Sequence, residues 1–177
     1  MDVPKIAIKN ILHTTDLSEA GRHAFAYAAS LAHQYNAELT VLHVVRSAPD
    51  LDRSLIGYIP DEMWEDMKKQ SLEEARQTLL TRKRDDTFIK KCVGKFCEEI
   101  QAGRPDDAFV SYDIAVELGH PVEKIIEFAA SSGSDMIVMA SHGHSTLEDA
   151  MLGNTVRRVL RRSPVPVMVV RLPKSPK

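Results

Sequence analysis

Cysteine is nearly absent from this 177-residue chain; Cys92 and Cys97 are the only two. Two cysteines make no disulfide framework, and the expectation is a reducing, cytoplasmic setting. Long apolar runs are missing too. No window holds about 18 uncharged apolar residues, so no membrane-spanning helix is expected. Met1-Asp2-Val3-Pro4-Lys5 carries an acid and no apolar stretch, so no secretory leader is expected there. No sign of charge dominates. The 23 Lys and Arg against 25 Asp and Glu leave a net −2, which gives no global footprint for nucleic acid, and no such partner is expected. There is no internal repeat and no low-complexity tract.

What is present reads as an ordinary globular protein: 44% apolar and 27% charged residues. The length suits one domain, taken as 1–177, with some to spare. Charge is uneven. Residues 46–110 hold 12 basic and 14 acidic residues of the 48 charged in all. The flanks are therefore expected to build the core, and 46–110 to be a solvated, helical excursion.

Ile6 to His13, β-branched at Ile6, Ile8 and Ile11, reads as a first strand that Thr14-Thr15-Asp16-Leu17-Ser18 ends. A helix to about Asn36 follows. Asp16 with Glu19 has capping-box spacing, and Ser18 is the alternative N-cap. Leu39 to Val45 is an apolar run suited to a strand buried on both faces. Ser47 to Pro60 is a loop, and Asp61 to about Arg84 is helical, with Met63, Trp64 and Met67 on a packed or partner-facing side. Thr87 to Gln101 carries an apolar stripe at Phe88, Ile89, Cys92, Val93, Phe96, Cys97 and Ile100. Strands follow at Ala108–Leu118, Met136–Ala140 and Val165–Arg171. Between them lie helices opened by Pro121 and ended near Arg162. Strands alternating with helices predict an α/β fold: a five-stranded parallel sheet, doubly wound and flavodoxin-like, in three layers. Such sheets bind ligands beyond the carboxyl ends of strands where strand order reverses. The loops bearing Asp16 and Gly143 are placed there.

The main chemical signal is Ala140-Ser141-His142-Gly143, nine residues, then Gly153-Asn154-Thr155. Glycine lets backbone N–H groups come close to a phosphate, and a helix N-terminus favours anions. The same residues also read as a plain turn and an N-cap, Asn being among the best caps. A carboxylate at Asp16 suits the donors of a ribose or an adenine amino group, or serves as a helix cap alone. Other chemistries fare poorly. Gly94-Lys95 is followed by Phe96, not a Walker-A loop, and neither G-x-G-x-x-G nor G-x-S-x-G occurs. His142-Gly143-His144 has no fixed Cys or acidic companions, so no metal site is assigned. His13 and His43 read as satisfied core residues. Cys92 and Cys97, about 140° apart on a helix, read as packing residues. Arg157, Arg158, Arg161 and Arg162 read as a solvated helix face, with an RNA or phosphate contact as the alternative.

These motifs together resemble the universal stress protein family, in its nucleotide-binding branch. The likeness lies in Thr14-Thr15-Asp16-Leu17-Ser18, Leu42-His43-Val44, Met139 to Gly143, Gly153-Asn154-Thr155-Val156, Gly119-His120-Pro121 and Ser163-Pro164-Val165-Pro166-Val167. The resemblance implies a stress-response protein that binds ATP, with Mg coming through the phosphates. Asp16 would take the adenosine end, with Thr14, Thr15 and the Val44 backbone beside it. Met139 and Ala140 would approach the ribose and phosphates. Ser141, His142, Gly143, Gly153, Asn154, Thr155 and Val156 would meet the phosphates. Two positions depart from the motif: Ala140 replaces its first Gly and Asn154 its Ser or Thr. A methyl at 140 costs on the order of 1 kcal/mol or more if that position needs φ > 0 or close ligand approach. No catalytic residue is assigned, since the motif holds no positioned base; a very slow ATPase and a nucleotide-free dimeric scaffold are the alternatives. Pro166 marks the last strand as an edge. Its apolar residues, like the resemblance, imply a homodimer through Val165–Arg171.

Overall fold

The computed structural model describes residues 6–45, 58–60, 62, 86–103, 110–143 and 152–173. The expected helix from Asp61 to Arg84, with Met63, Trp64 and Met67, lies outside the described residues apart from Glu62, as does His144. Among the described residues, strands and helices alternate: β1 (Asn10–Thr15), α1 (Glu19–Tyr35), β2 (Glu38–Val45), α2 (Asp86–Gln101), β3 (Tyr112–Leu118), α3 (Pro121–Ser131), β4 (Met136–Ala140), α4 (Asn154–Arg162) and β5 (Val167–Val170). The sheet is parallel throughout, in the order β3-β2-β1-β4-β5. The chain thus winds outward from β1 on one side, then returns and winds outward on the other. The reversal falls between β1 and β4.

Each central strand is buried on both faces, as a parallel sheet requires. Ile11, Val41, Val138 and Ala140 pack with the helices α1 and α2, whereas Leu12, Leu42, Ile137 and Met139 pack with α3 and α4. Ala20, Ala24, Ala28, Ala29 and Ala32 line the buried side of α1 and allow a close approach to the sheet.

The strands β1, β3 and β5 are bounded differently from expectation. β1 starts at Asn10 and runs through Thr15, whereas Ile6 is 82% exposed. The Asp135 carboxylate accepts the N–H groups of Lys9 and Asn10 at 2.8 and 2.9 Å, and pairing begins there, at Asn10 against Glu38. β3 starts at Tyr112. Both backbone groups of Val110 are taken by the Gln101 side-chain amide, at 2.9 Å each. β5 is trimmed to Val167–Val170.

The core is not confined to the flanks. Phe88, Ile89, Cys92, Val93, Phe96 and Cys97 of α2 are all buried, in one cluster with Phe25 and Val41. Charged residues such as Lys90, Lys91, Glu98 and Glu99 sit on the exposed part of that helix. A charge count over 46–110 averages these two faces and hides the buried one. Both cysteines are free. Burial pushes their thiols up, to about 11 for Cys92 and about 12 for Cys97, so both are unreactive packing groups.

Candidate functional site

The carboxyl ends of β1 and β4 lie side by side, with Thr14 in register with Met139. β1 ends in a tight turn built from its own side chains. Thr15 Oγ1 accepts the Leu17 N–H at 3.0 Å, and Asp16 Oδ1 accepts the Ser18 N–H at 3.1 Å. Leu17 is buried and left-handed, at φ 62, a conformation that costs of order 1–3 kcal/mol outside glycine. Ser18 then caps α1, its hydroxyl accepting the Gly21 N–H at 3.1 Å. Asp16 is therefore not the helix cap. Gly21 has no room for a side chain, since a Cβ would stand 2.7 Å from Thr15 Oγ1.

β4 ends against this turn. A Cβ on Gly143 would collide with the Asp16 carboxylate, standing 3.0 Å even from its Cγ. Among the described residues the positive-φ glycines are Gly119 and Gly133, and Gly143 is not one of them. Its glycine is needed for room. Ala140 is the last residue of β4, buried and not at positive φ, so a methyl there carries no backbone cost.

Ser141 ties three elements together. Its N–H donates to Val170 O at 2.7 Å, its carbonyl accepts the Gly153 N–H at 2.8 Å, and its hydroxyl meets His142 Nδ1 at 2.9 Å. The backbone N–H groups of Ser141 and Gly153 are thus committed inside the protein. Gly153 is the N-cap of α4 and has no side chain to cap with. Asn154 is the first helical residue, not the cap, and is exposed. The N–H groups of Asn154, Thr155 and Val156 occupy the first-turn positions that receive no intrahelical acceptor. The Val156 side chain is buried among Val159, Ile137 and Met139, so only its backbone faces that end. Thr14 and Thr15 are each 7% exposed, Met139 is 5% exposed, and Val44 is half-buried.

Each strand histidine holds a backbone carbonyl through its Nδ1. His43 Nδ1 lies 2.9 Å from Thr15 O, and His13 Nδ1 lies 3.2 Å from Val138 O, which ties β1 to β4. His13 Nε2 is buried with no hydrogen-bond partner. Burial lowers the His13 pKa to about 4, against the opposing pull of the Val138 carbonyl and of Asp16. Among the described residues, no three His, Cys, Asp or Glu cluster as metal ligands.

The description of the universal stress protein family fits residues 7–171. The chain belongs to the universal stress protein family. Universal stress protein MJ0531 of Methanocaldococcus jannaschii is 29% identical over 167 residues, covering 94% of this chain and 84% of that protein. Universal stress protein MJ0577 of the same organism is 26% identical over 179 residues, covering 96% and 99%. The solved structure of MJ0577 superposes with a TM-score of 0.59 at 25% identity, over 96% of this chain and 100% of that one. A universal stress protein solved in complex with cAMP shares the fold, with a TM-score of 0.51 at 20% identity over 94% and 98%.

Sequence reasoning missed two residues that shape this universal stress protein site, Leu17 and Gly21. Leucine gives no hint of a left-handed conformation. Gly21 carried a readable signal, since glycine is unfavourable inside a helix without a packing reason.

Proposed function

We propose that this universal stress protein is a regulatory adenine-nucleotide binder of the stress response, holding ATP across the β1–β4 crevice. One observation carries the reading: the Asp16 carboxylate fills the space where Gly143 would have a side chain. Asp16 does not cap α1, its Oδ1 instead holding the Ser18 N–H of the turn, and Asn154 does not cap α4. In this reading Asp16, Thr14, Thr15 and the Val44 backbone meet the adenosine end. Met139 and Ala140 flank the ribose. The Ser141 hydroxyl, His142, Gly143 and the first-turn N–H groups of Asn154, Thr155 and Val156 meet the phosphates, and Mg arrives on those phosphates. Gly153 supplies close approach rather than a donor. ATP at this place supplies negative charge to a helix start, which the free N–H groups and the helix dipole stabilise. The site holds nucleotide rather than turning it over, because the one acid of the motif sits at the adenosine end. A protein of this fold has been solved with cAMP, itself an adenine nucleotide.

The same reading makes the protein a cytoplasmic homodimer. Buried free thiols suit a reducing compartment. The half-buried valines of β5, paired only with β4 among the described strands, suit pairing with a second copy through Val165–Arg171.

Denaturing freshly purified protein and separating the released small molecules by ion exchange tests the nucleotide. Co-eluting ATP, or a stabilisation of about 2.7 kcal/mol at a hundredfold excess over Kd, is expected. Absence of both overturns the reading in favour of the nucleotide-free scaffold.

A further inference from the structure

Helix α4 carries guanidinium groups with little to neutralise them. Arg157, Arg158, Arg161 and Arg162 are all exposed, whereas Val156 and Val159 face the sheet. At about 100° per residue the four side chains span about 140° of the helix surface, opposite the buried pair. Among the described residues only Arg162 has a carboxylate in reach, Glu123 at 3.9 Å. Elsewhere on the described surface, cations find closer partners, as in Arg22–Glu99 at 2.9 Å and Lys124–Glu127 at 3.0 Å. The first turn of α4 holds no acid, none of residues 154–177 is acidic, and exposed Arg171 follows β5.

This pattern works against the isolated helix. Arg157 with Arg161, and Arg158 with Arg162, are like-charge pairs four residues apart, which destabilise a helix. Among the described residues, only the Arg162 head has an ion-pair partner, Glu123. All four are arginine, whose planar fork matches phosphate oxygens two at a time. The surroundings narrow the partner. Leu160, 42% exposed, is the one large apolar side chain exposed on the helix, too little for a membrane-inserting face. The helix has no aromatic residue on which bases of a single strand would stack.

We infer that the arginine face of α4 docks the phosphate backbone of a nucleic-acid duplex, independently of sequence. The near-neutral total charge pointed away from nucleic acid; the local face points toward it, and the contact does not depend on the nucleotide reading above. Fluorescence anisotropy with a labelled DNA duplex of about 20 base pairs, in a salt series, tests it. Three or four phosphate contacts give a log–log salt slope of about −2.7 to −3.6, a loss of roughly 40- to 150-fold between about 50 and 200 mM salt. Combining Arg157→Gln, Arg158→Gln and Arg161→Gln, which keeps good helix formers at exposed positions, brings the slope to about −1 and costs at least about tenfold in affinity at low salt. Combining Lys90→Gln and Lys91→Gln on α2 leaves both unchanged. The inference is overturned if the duplex stays unbound at low salt, if the α2 variant loses as much, or if the triple variant keeps its slope. Tighter binding to phosphatidylserine vesicles or to a poly-glutamate peptide than to the duplex overturns it as well.

Discussion

Gly143 and Asp16 occupy one space, and any side chain at 143 has to displace the carboxylate. Gly143→Ala is expected to weaken ATP binding at least about tenfold, or about 1.4 kcal/mol, measured by calorimetric titration; unchanged affinity would remove Asp16 from the site. His13 makes a separate prediction. It has a pKa of about 4 when folded and 6.5 as a free side chain, so the unfolded chain takes up the proton first as pH falls. Stability from this group is complete above about pH 6.5 and declines toward pH 4, by up to about 3 kcal/mol. In urea unfolding the gap between the native protein and His13→Leu should therefore narrow between pH 7.5 and about 4.5; a constant gap argues against the buried neutral imidazole. At this scale the motif residues were legible because glycines and a lone acid stand out on loops. The left-handed Leu17 was not, since its φ is imposed by the Thr15 and Asp16 turn rather than by the residue type.

The start of α4 is a helix end with glycine as its cap. A serine at 153 would supply the missing acceptor, and a Cβ there meets its nearest neighbours at 3.4 Å, from the His142 Cα and the Ser141 carbonyl. Gly153→Ser should raise the thermal stability of the nucleotide-free protein by a few tenths of a kcal/mol and, on the proposed function, weaken ATP, because cap and phosphate would compete for the same N–H groups. Stronger ATP binding in that variant would argue against phosphate at this helix. In α2, Phe96 is fully buried against Tyr58 and the sheet layer. Phe96→Ala should cost about 3–5 kcal/mol in urea unfolding; a loss near zero would restore the picture of a solvated excursion. The stripe from Phe88 to Ile100 was legible as a helix face. Its place in the core was not, because a charge count over 65 residues says nothing about which side of a helix is charged.

The order of the sheet follows from alternation and handedness, and both were readable: apolar runs for β2 and β4, Pro121 before α3, polar breaks between. The strand ends were less so, as Asp135 recruits the backbone of Lys9 and Asn10 from far along the chain and the Gln101 side chain takes both backbone groups of Val110. The open edge of β5 has its own test. Ile137 N–H donates to Pro166 O and Ser141 N–H to Val170 O, so strand alternation turns the backbone of Val167 and Val169 away from β4. Val169→Pro removes an outward donor while sparing the β4 ladder, and is expected to convert the proposed dimer to a monomer in size-exclusion chromatography with light scattering; a native protein that runs as a monomer would contradict the edge-strand dimer. The central claim is that ATP lies across β1 and β4, and amide hydrogen exchange with and without saturating ATP tests it most directly. Slower exchange at residues 16–18, 142–143 and 154–156, with the rest of the sheet unchanged, is the predicted result. Unaltered exchange at those residues, or protection confined to another surface, would contradict it.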